Sequence, residues 1–168
     1  MASNETFDIT TGCELQEVDN AVNQTLKELQ QRYDFRGVKF KVEFDRTGGT
    51  VTLHTEDEHR LDAIWDVLQT KMVRRKVPIK NLHRGNVIAA SSFEVLQEIN
   101  LQQAIDSETA KKIVKYIKEK KIKKVQASIQ IEQVRVTSPS RDALQEIMGF
   151  LKQEDFGVEL QFGNFRSK

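Results

Sequence analysis

Two arginines, Arg32 and Arg36, lie on either side of an aromatic, acidic and aromatic triplet in the segment RYDFRG. A guanidinium group donates paired hydrogen bonds to a phosphate, so such a cluster is typical of phosphate-binding sites. Residues four positions apart share a helix face, which would let both arginines bind one phosphate. The same spacing also allows them to pair with Asp34 and Glu28 at the end of a helix. The residues alone leave both interpretations open.

A second basic cluster is the segment 111–124, which contains eight lysines and one glutamate. Clustered lysines attract nucleic-acid phosphates without selecting a sequence, and this attraction weakens steeply with salt. The alternative interpretation is that the lysines only solvate an exposed helix face. The lysines of this candidate electrostatic patch are Lys111, Lys112, Lys115, Lys118, Lys120 and Lys121.

The sequence contains no arrangement that indicates catalysis or a bound metal. The patterns G-x-G-x-x-G and G-x-x-x-x-G-K-[ST] are absent, and His54, His59 and His83 lack metal-ligand spacing. The single cysteine, Cys13, lacks the histidine arrangement of a nucleophile. With 26 basic and 25 acidic side chains, the net charge of +1 gives no global attraction to nucleic acid. We therefore expect a protein that is not an enzyme and that carries no cofactor or metal.

The sequence also lacks features that direct a protein to a membrane. It begins without a basic and apolar signal region, and no apolar run approaches the ~20 residues of a membrane helix. A single cysteine cannot form an internal disulfide, which suits a reducing compartment. These observations predict a cytoplasmic protein without membrane contacts.

Hydrophobic periodicity predicts the elements that position these residues. Residues 15–33 have apolar side chains three and four positions apart, as in a helix, and Gly37 would end that helix. Residues 38–44 alternate as in a half-buried strand. A second strand around Val51 and a helix with its apolar face over 61–72 complete an α-β-β-α unit.

The second half of the chain repeats this pattern with a helix over 107–121, two strands and a helix that follows Ser138 as cap and Pro139. The first of these strands is predicted to bury alternate side chains, namely Val125, Ala127, Ile129 and Ile131. The segments VTLHTEDEHRLDAIWDVL and VRVTSPSRDALQEIMGFL align without a gap. The chain therefore contains a duplication.

A sheet of only two strands is marginal, so each unit needs further strands. Three candidate segments are left, namely 6–10, 86–99 and 158–162. Adding them gives two β-α-β-β-α-β units of the ferredoxin-like (RNP-like) type, an α+β fold. The segment 86–99 is broken by Ser91 and Ser92, and the residues alone allow it to serve either sheet or both.

Several segments resemble the bacterial YajQ family: FDI near the start, LQEVDNAV, RYDFRG, KIVKYIK, VQASIQIEQVRVTS, RDALQ and the ending QFGNFR. The resemblance covers nearly the whole chain. It implies two tandem ferredoxin-like domains that arose by duplication and have exchanged N-terminal strands. The first repeat would span 11–85 with strand 86–99 in its sheet, and the second 100–168 with strand 5–10 in its sheet.

The resemblance further implies a nucleotide- or nucleic-acid-binding regulatory protein. Members of the family bind purine nucleotides or tRNA, and others are cyclic di-GMP effectors that work with a transcription factor. Strand exchange would bring loops of both repeats together, with arginines for phosphates and Phe35 or Phe165 for base stacking. The expected nucleotide-binding residues are Arg32, Phe35, Arg36, Arg135, Arg141, Asn164, Phe165 and Arg166.

Three alternatives accompany this prediction. In the first, both aromatic residues only fill a domain interface and the arginines pair with Asp8, Asp34 or Asp142. In the second, the protein is a scaffold that engages a transcription factor and binds no nucleotide. In the third, it is an enzyme that acts on phosphorylated small molecules, for which the sequence offers no nucleophile–base pair. Many family members have a Gly-Lys-type turn after the RVT strand, whereas this chain has the turn 138–140, Ser-Pro-Ser. That difference would alter phosphate binding if the turn contacts the ligand.

Overall fold

The computed structural model describes residues 3–167, which form four α-helices and eight β-strands. In chain order these are β1 (Glu5–Thr10), α1 (Leu15–Gln31), β2 (Lys41–Asp45), β3 (Thr50–Thr55), α2 (Glu58–Arg74), β4 (Leu82–Ser91), β5 (Glu94–Leu101), α3 (Ser107–Glu119), β6 (Gln126–Gln130), β7 (Gln133–Ser138), α4 (Arg141–Gln153) and β8 (Gln161–Ser167). No helix in this described part of the chain is both long and apolar enough to cross a membrane.

The chain divides into two compact units. The first unit is Gly12–Gln103, and the second unit joins the segment up to Thr11 to the residues from Ala104 onward. Each unit is a four-stranded antiparallel sheet with two helices. The predicted α+β fold of two tandem ferredoxin-like domains is therefore confirmed.

In the first unit the strands follow the order β2-β3-β5-β4. The segment predicted as one strand over 86–99 is instead the hairpin β4–β5, which turns at Ser92 and Phe93. The prediction of a single strand was wrong because no glycine or proline marks this turn. Strand β5 pairs with β3 and takes the place that the first strand has in a β-α-β-β-α-β unit.

In the second unit the order is β6-β7-β1-β8, so the N-terminal strand lies between two strands from the end of the chain. Phe7 pairs with Val136 of β7, and Ile9 pairs with Phe162 of β8. Strand β8 begins at Gln161, later than the predicted strand over 158–162. Strand exchange thus gives each sheet its four strands.

Each unit has its own hydrophobic core between its helices and one face of its sheet. In the second unit, Phe7, Ile9, Val134 and Val136 from the central strands are fully buried. The prediction that Ile129 and Ile131 are buried was wrong, because β6 is an edge strand that ends at Gln130. Ile129 is 47% exposed, and Ile131 in the following turn is 90% exposed.

Candidate functional site

The segment RYDFRG is not the continuous end of a helix. Helix α1 ends at Gln31, Arg32 is extended with φ −78° and ψ 134°, and residues 33–35 form a short 3-10 helix. Gly37, with φ +72°, then turns the chain toward β2. The prediction that Arg32 and Arg36 share a helix face was therefore wrong, since the extended Arg32 interrupts the helical periodicity.

Arg32 is engaged by carboxylates of its own unit. Its Nε and Nη2 donate to the two carboxylate oxygens of Asp34 at 2.9 and 2.8 Å, and Nη1 lies 3.9 Å from Glu28. The hydrogen bond to Asp34 raises the pKa of Arg32, and the same bond lowers the pKa of Asp34. Arg32 thus has the pairing that the salt-bridge interpretation predicted.

The two aromatic residues of this corner have opposite environments. Phe35 is only 4% exposed and packs edge-on against Phe40 with ring centroids 5.5 Å apart, so it offers no face to a base. Tyr33 is 83% exposed, and the guanidinium carbon of Arg36 lies 5.5 Å from its ring centroid. Within residues 3–167, Arg36 has no ion-pair partner. Arg36 and Tyr33 are therefore the accessible pair at this corner.

In the second unit, three of the expected residues line one cavity of about 280 Å³ between the start of α4 and the strands β1 and β8. Its walls include Glu5, Arg141, Gln145, Met148, Phe165 and Arg166. We call this cavity the α4 pocket. It contains two cationic side chains, an amide and an aromatic ring, which are the groups that contact phosphates and bases.

The turn 138–140 positions Arg141 at the edge of the α4 pocket. The predicted cap Ser138 is buried and its hydroxyl accepts from the amide of Ser140, whereas Ser140 is the residue that caps α4 through the amide of Ala143. Arg141 is thus the first residue of α4. The prediction of Ser138 as the cap was wrong because the helix begins two residues later.

Arg141 forms a two-pronged ion pair with Glu5, the first residue of β1. Its Nε and Nη2 donate to the carboxylate of Glu5 at 2.9 and 3.0 Å. The Arg141 side chain is 71% exposed, whereas that of Glu5 is 21% exposed. The hydrogen bond from Arg141 lowers the pKa of Glu5. Asp142 was one of the carboxylates suggested as a partner of the arginines, but Arg141 pairs with Glu5.

The carboxylate of Asp8 contacts three of the expected residues, Arg135, Asn164 and Arg166. Its side chain is 3% exposed and accepts from Arg135 Nε at 2.9 Å and from Asn164 Nδ2 at 2.6 Å, and Arg166 Nη2 lies at 3.7 Å. Burial raises the pKa of Asp8, but these hydrogen bonds and charges outweigh it and leave the pKa lowered. Arg166 therefore belongs both to this cluster and to the α4 pocket.

Phe165 is exposed because β8 bulges beside β1. The pairing register shifts between Thr6 and Asp8, and Asn164 has φ +53°. Phe165 remains 63% exposed, with its ring centroid 6.1 Å from that of Phe7. Of the two phenylalanines suggested for stacking, Phe165 is the one whose side chain is exposed.

The lysines of the candidate electrostatic patch are all exposed, on α3 and just after it. The opposite face of α3 is buried, through Ala110, Ile113 and Ile117. Lys120 differs from the others because its ammonium lies 4.8 and 4.7 Å from the ring centroids of Tyr116 and Phe150. The patch is therefore a solvated helix face on which one lysine has aromatic neighbours.

Sequence reasoning missed Glu5, Gln145 and Tyr33 as parts of these sites. Gln145 follows Arg141 by four residues and so shares its face of α4, a spacing that would have revealed it. No local signal reveals Glu5, because it is 136 positions from Arg141. The pairing of the strands decides that contact.

The equivalent place in the first unit has different chemistry. The gap-free alignment of the repeats matches Arg141 with Glu58, Gln145 with Asp62 and Met148 with Trp65. Arg84 of β4 lies over Trp65 at 4.9 Å and donates to Asp62 at 2.9 Å. In the first unit this place is acidic and is occupied by an arginine of the chain itself.

The protein is an α+β protein of two ferredoxin-like domains. One domain has a pocket with two arginines and an exposed aromatic ring, which is a candidate anion site. The model of the family described as nucleotide-binding protein YajQ-like matches residues 5–166. The chain belongs to this family, which is named for nucleotide binding and not for a reaction.

Three relatives, each named a nucleotide-binding protein, show how far the similarity extends. The relative from Koribacter versatilis is 46% identical over 167 residues, which covers 99% of each chain. The relative from Geotalea uraniireducens is 50% identical over 160 residues, or 95% of this chain and 98% of that one. The relative from Bacillus cereus strain G9842 is 46% identical over 166 residues, or 99% and 100%.

Proposed function

We propose that this protein binds a nucleotide reversibly in the α4 pocket of its second unit and acts as a regulator, without turnover. The observation that carries the proposal is that Arg141, Phe165 and Arg166 line one cavity of about 280 Å³. The names of the relatives support the ligand class. The ligands to be tested are a purine nucleotide, cyclic di-GMP and tRNA.

The pocket suits one base with its phosphates at the rim. Its volume of about 280 Å³ lies just below the range for small-molecule pockets, which begins at about 300 Å³. The exposed ring of Phe165 offers a stacking surface, and the amide of Gln145 both donates and accepts hydrogen bonds. Arg141 and Arg166 supply guanidinium donors for phosphate oxygens.

The chemistry of the pocket favours binding over catalysis. Its carboxylate, Glu5, is held by Arg141, which lowers its pKa and makes it a weak base. The thiol of Cys13 is buried in the other unit, and burial raises its pKa to about 11. We therefore expect the protein to bind and release its ligand without converting it chemically.

The experiment is an amide NMR titration of the protein with GTP, cyclic di-GMP and a tRNA at low and high salt. We expect saturable shifts at Arg141, Gln145 and Phe165 that persist at high salt, because the pocket combines stacking with ionic contacts. Shifts confined to the corner of Tyr33 and Arg36, or no saturable shifts in either place, would contradict the assignment to the α4 pocket.

Two substitutions make the same test quantitative. Phe165→Ala should weaken binding by about 1–3 kcal/mol, the range for stacking of a base on an aromatic ring. Arg141→Ala should weaken binding of phosphorylated ligands about tenfold, since it removes a charge-assisted contact. The matched controls are Phe93→Ala, at a phenylalanine that is 83% exposed in the β4–β5 turn, and Arg74→Ala, at an exposed arginine of α2.

A protein partner, such as a transcription factor, is the second candidate, because the outer edge strand β4 has an exposed apolar part. Residues 85–93 have no charged side chain, and Val87 and Ile88 are 37% and 53% exposed. Such an edge accepts a strand of another protein. Partner capture that Ile88→Lys abolishes, together with no nucleotide binding, would favour this scaffold function.

A further inference from the structure

The α4 pocket already contains an anionic group of the protein itself. The carboxylate of Glu5 receives two parallel hydrogen bonds from Arg141, at 2.9 and 3.0 Å. This is the geometry in which an arginine binds a phosphate. Arg141 is also the first residue of α4, where the helix dipole favours negative charge. Glu5 thus occupies the place that suits a ligand phosphate.

We propose that Glu5 is a built-in competitor for Arg141, which a phosphate of the ligand must displace on binding. The proposal rests on the proposed function, because it concerns the same pocket. In the free protein Glu5 neutralises Arg141, and in the complex the ligand phosphate takes over that arginine. Glu5 therefore sets how strongly the pocket holds phosphorylated ligands.

Among the described residues, Glu5 and Asp8 form the ion pairs with Arg135, Arg141 and Arg166, and they differ in how firmly they are held. Asp8 is 3% exposed and is held by Arg135 and Asn164 as well as by the charge of Arg166. Glu5 is 21% exposed, and the hydrogen bonds of its side chain come from Arg141, itself 71% exposed. Glu5 is thus the carboxylate that a ligand can replace without disturbing the sheet.

The balance of charge gives the direction of the effect. Arg141 and Arg166 bring two positive charges to the pocket. Glu5 offsets the charge of Arg141, whereas Asp8 is shared between Arg166 and Arg135. Because Arg141 lowers the pKa of Glu5, this carboxylate is ionised at neutral pH. Removing the charge of Glu5 leaves Arg141 available to a phosphate and ends the repulsion between two anions.

The test compares Glu5→Gln with the wild type and with Glu146→Gln. Glu146 is an exposed residue of α4 that does not line the pocket. Its substitution changes the net charge by the same amount as Glu5→Gln but leaves the ion pair of Arg141 with Glu5 in place. The probes are inorganic pyrophosphate, GTP and guanosine, each followed by calorimetry and by the amide shift of Arg141. We expect Glu5→Gln to bind pyrophosphate and GTP about tenfold more tightly than either comparison protein, as for a freed charged donor. The affinity for guanosine should stay the same, since it has no phosphate.

The outcomes separate this inference from the proposed function. If GTP binds in the pocket but Glu5→Gln and Glu146→Gln have equal affinities for pyrophosphate, the inference about Glu5 is wrong. If pyrophosphate binds more tightly to Glu5→Gln while GTP never reaches the pocket, the inference holds and the nucleotide function fails. If no protein binds either probe in the pocket, both fail.

A measurement on the wild type covers the case in which Glu5→Gln does not fold. Saturation with pyrophosphate should shift the carboxyl ¹³C resonance of Glu5, because that group loses both hydrogen bonds from Arg141. An unchanged Glu5 resonance at full occupancy of the pocket would show that the ligand binds without displacing it. That result overturns the proposal independently of any substitution.

Discussion

Asp8 shows how one buried carboxylate organises residues that are far apart in the chain. It is 127 positions from Arg135 and 156 positions from Asn164, yet it accepts hydrogen bonds from both. These partners belong to β7 and β8, the two neighbours of β1. The side chain of Asp8 therefore links β1 with β7 and β8. It also lies 3.7 Å from Arg166, which lines the α4 pocket.

We expect Asp8→Asn to destabilise the protein by about 1–3 kcal/mol at neutral pH, because charged hydrogen bonds are lost in a buried place. The pKa of Asp8 is lowered below its usual 3.8 in the folded state. A lowered pKa means that the charged form contributes stability above 3.8, and this contribution disappears as the pH falls through the lowered pKa. The difference between Asp8→Asn and the wild type should therefore shrink in acid.

Urea unfolding at neutral pH, and at the lowest pH at which the wild type stays folded, measures this difference. Asp66→Asn is the control, because Asp66 is an exposed residue of α2. Equal losses in both variants, or a loss for Asp8→Asn that does not depend on pH, would refute the role given to Asp8.

From the sequence, it was easier to predict which residues belong to the candidate site than to predict what those residues contact. The sequence indicated Arg141 and Phe165, and the structure brings them to one pocket. Arg32 and Phe35 were also indicated, but Arg32 is paired with Asp34 and Phe35 is buried. Burial and pairing depend on the turn that follows α1, where Arg32 is extended, and periodicity does not reveal such a break.

At the scale of a single element, α3 is the place to test general attraction to nucleic acid. Its outer face exposes lysines while its inner face is buried. Log affinity for tRNA should fall linearly with log salt concentration, with a slope set by the number of phosphate contacts. We expect replacement of three lysines by glutamine to make this slope shallower by about 2–3, since each lost contact contributes about 0.7–0.9. The three positions are Lys111, Lys112 and Lys115.

The matched control replaces three exposed lysines of the first unit, namely Lys27, Lys39 and Lys41. It lowers the net charge by the same amount, so any difference between the two triple variants reports on position. Filter binding over a series of salt concentrations gives both slopes. Equal slopes for the two variants would mean that α3 has no special part in binding tRNA.

The limits of prediction for elements are clearest in β4 and β5. Both helices of each repeat and the duplication follow from periodicity, because a helix buries one face over several turns. The β4–β5 hairpin was missed, since its turn at Ser92 and Phe93 contains neither glycine nor proline. Which sheet the strands join depends on pairing between distant segments, which no local pattern encodes.

At the scale of the whole molecule, the two units share a four-stranded antiparallel sheet with two helices but differ in the chemistry at the start of the second helix. The second unit has Arg141 at the start of α4, whereas the first unit has Glu58 at the start of α2. The guanidinium of Arg84 fills the matching place between Asp62 and Trp65. The groups on which the proposed nucleotide site depends are therefore present in the second unit and not at the matching place of the first.

Titration calorimetry with GTP should accordingly give one site per chain. Arg84→Ala should leave this stoichiometry at one, because the acids Glu58 and Asp62 remain and repel a phosphate. Gln31→Ala, at an exposed position at the end of α1, serves as a neutral control. A stoichiometry of two for the wild type or for Arg84→Ala would show that the first unit also holds the ligand.

The place of β1 in its sheet has a consequence for how the protein is made. The first unit is continuous in the chain, whereas β1 is synthesised before it and pairs with β7 and β8 after it. At about 5–20 residues per second, the ribosome needs roughly 8–30 s between Asp8 and its partner Asn164, which lies 156 positions later. During that time the first unit can fold, while Phe7 and Ile9 have no sheet to enter. The apolar side chains of β1 thus stay without their sheet until the end of the polypeptide has been synthesised.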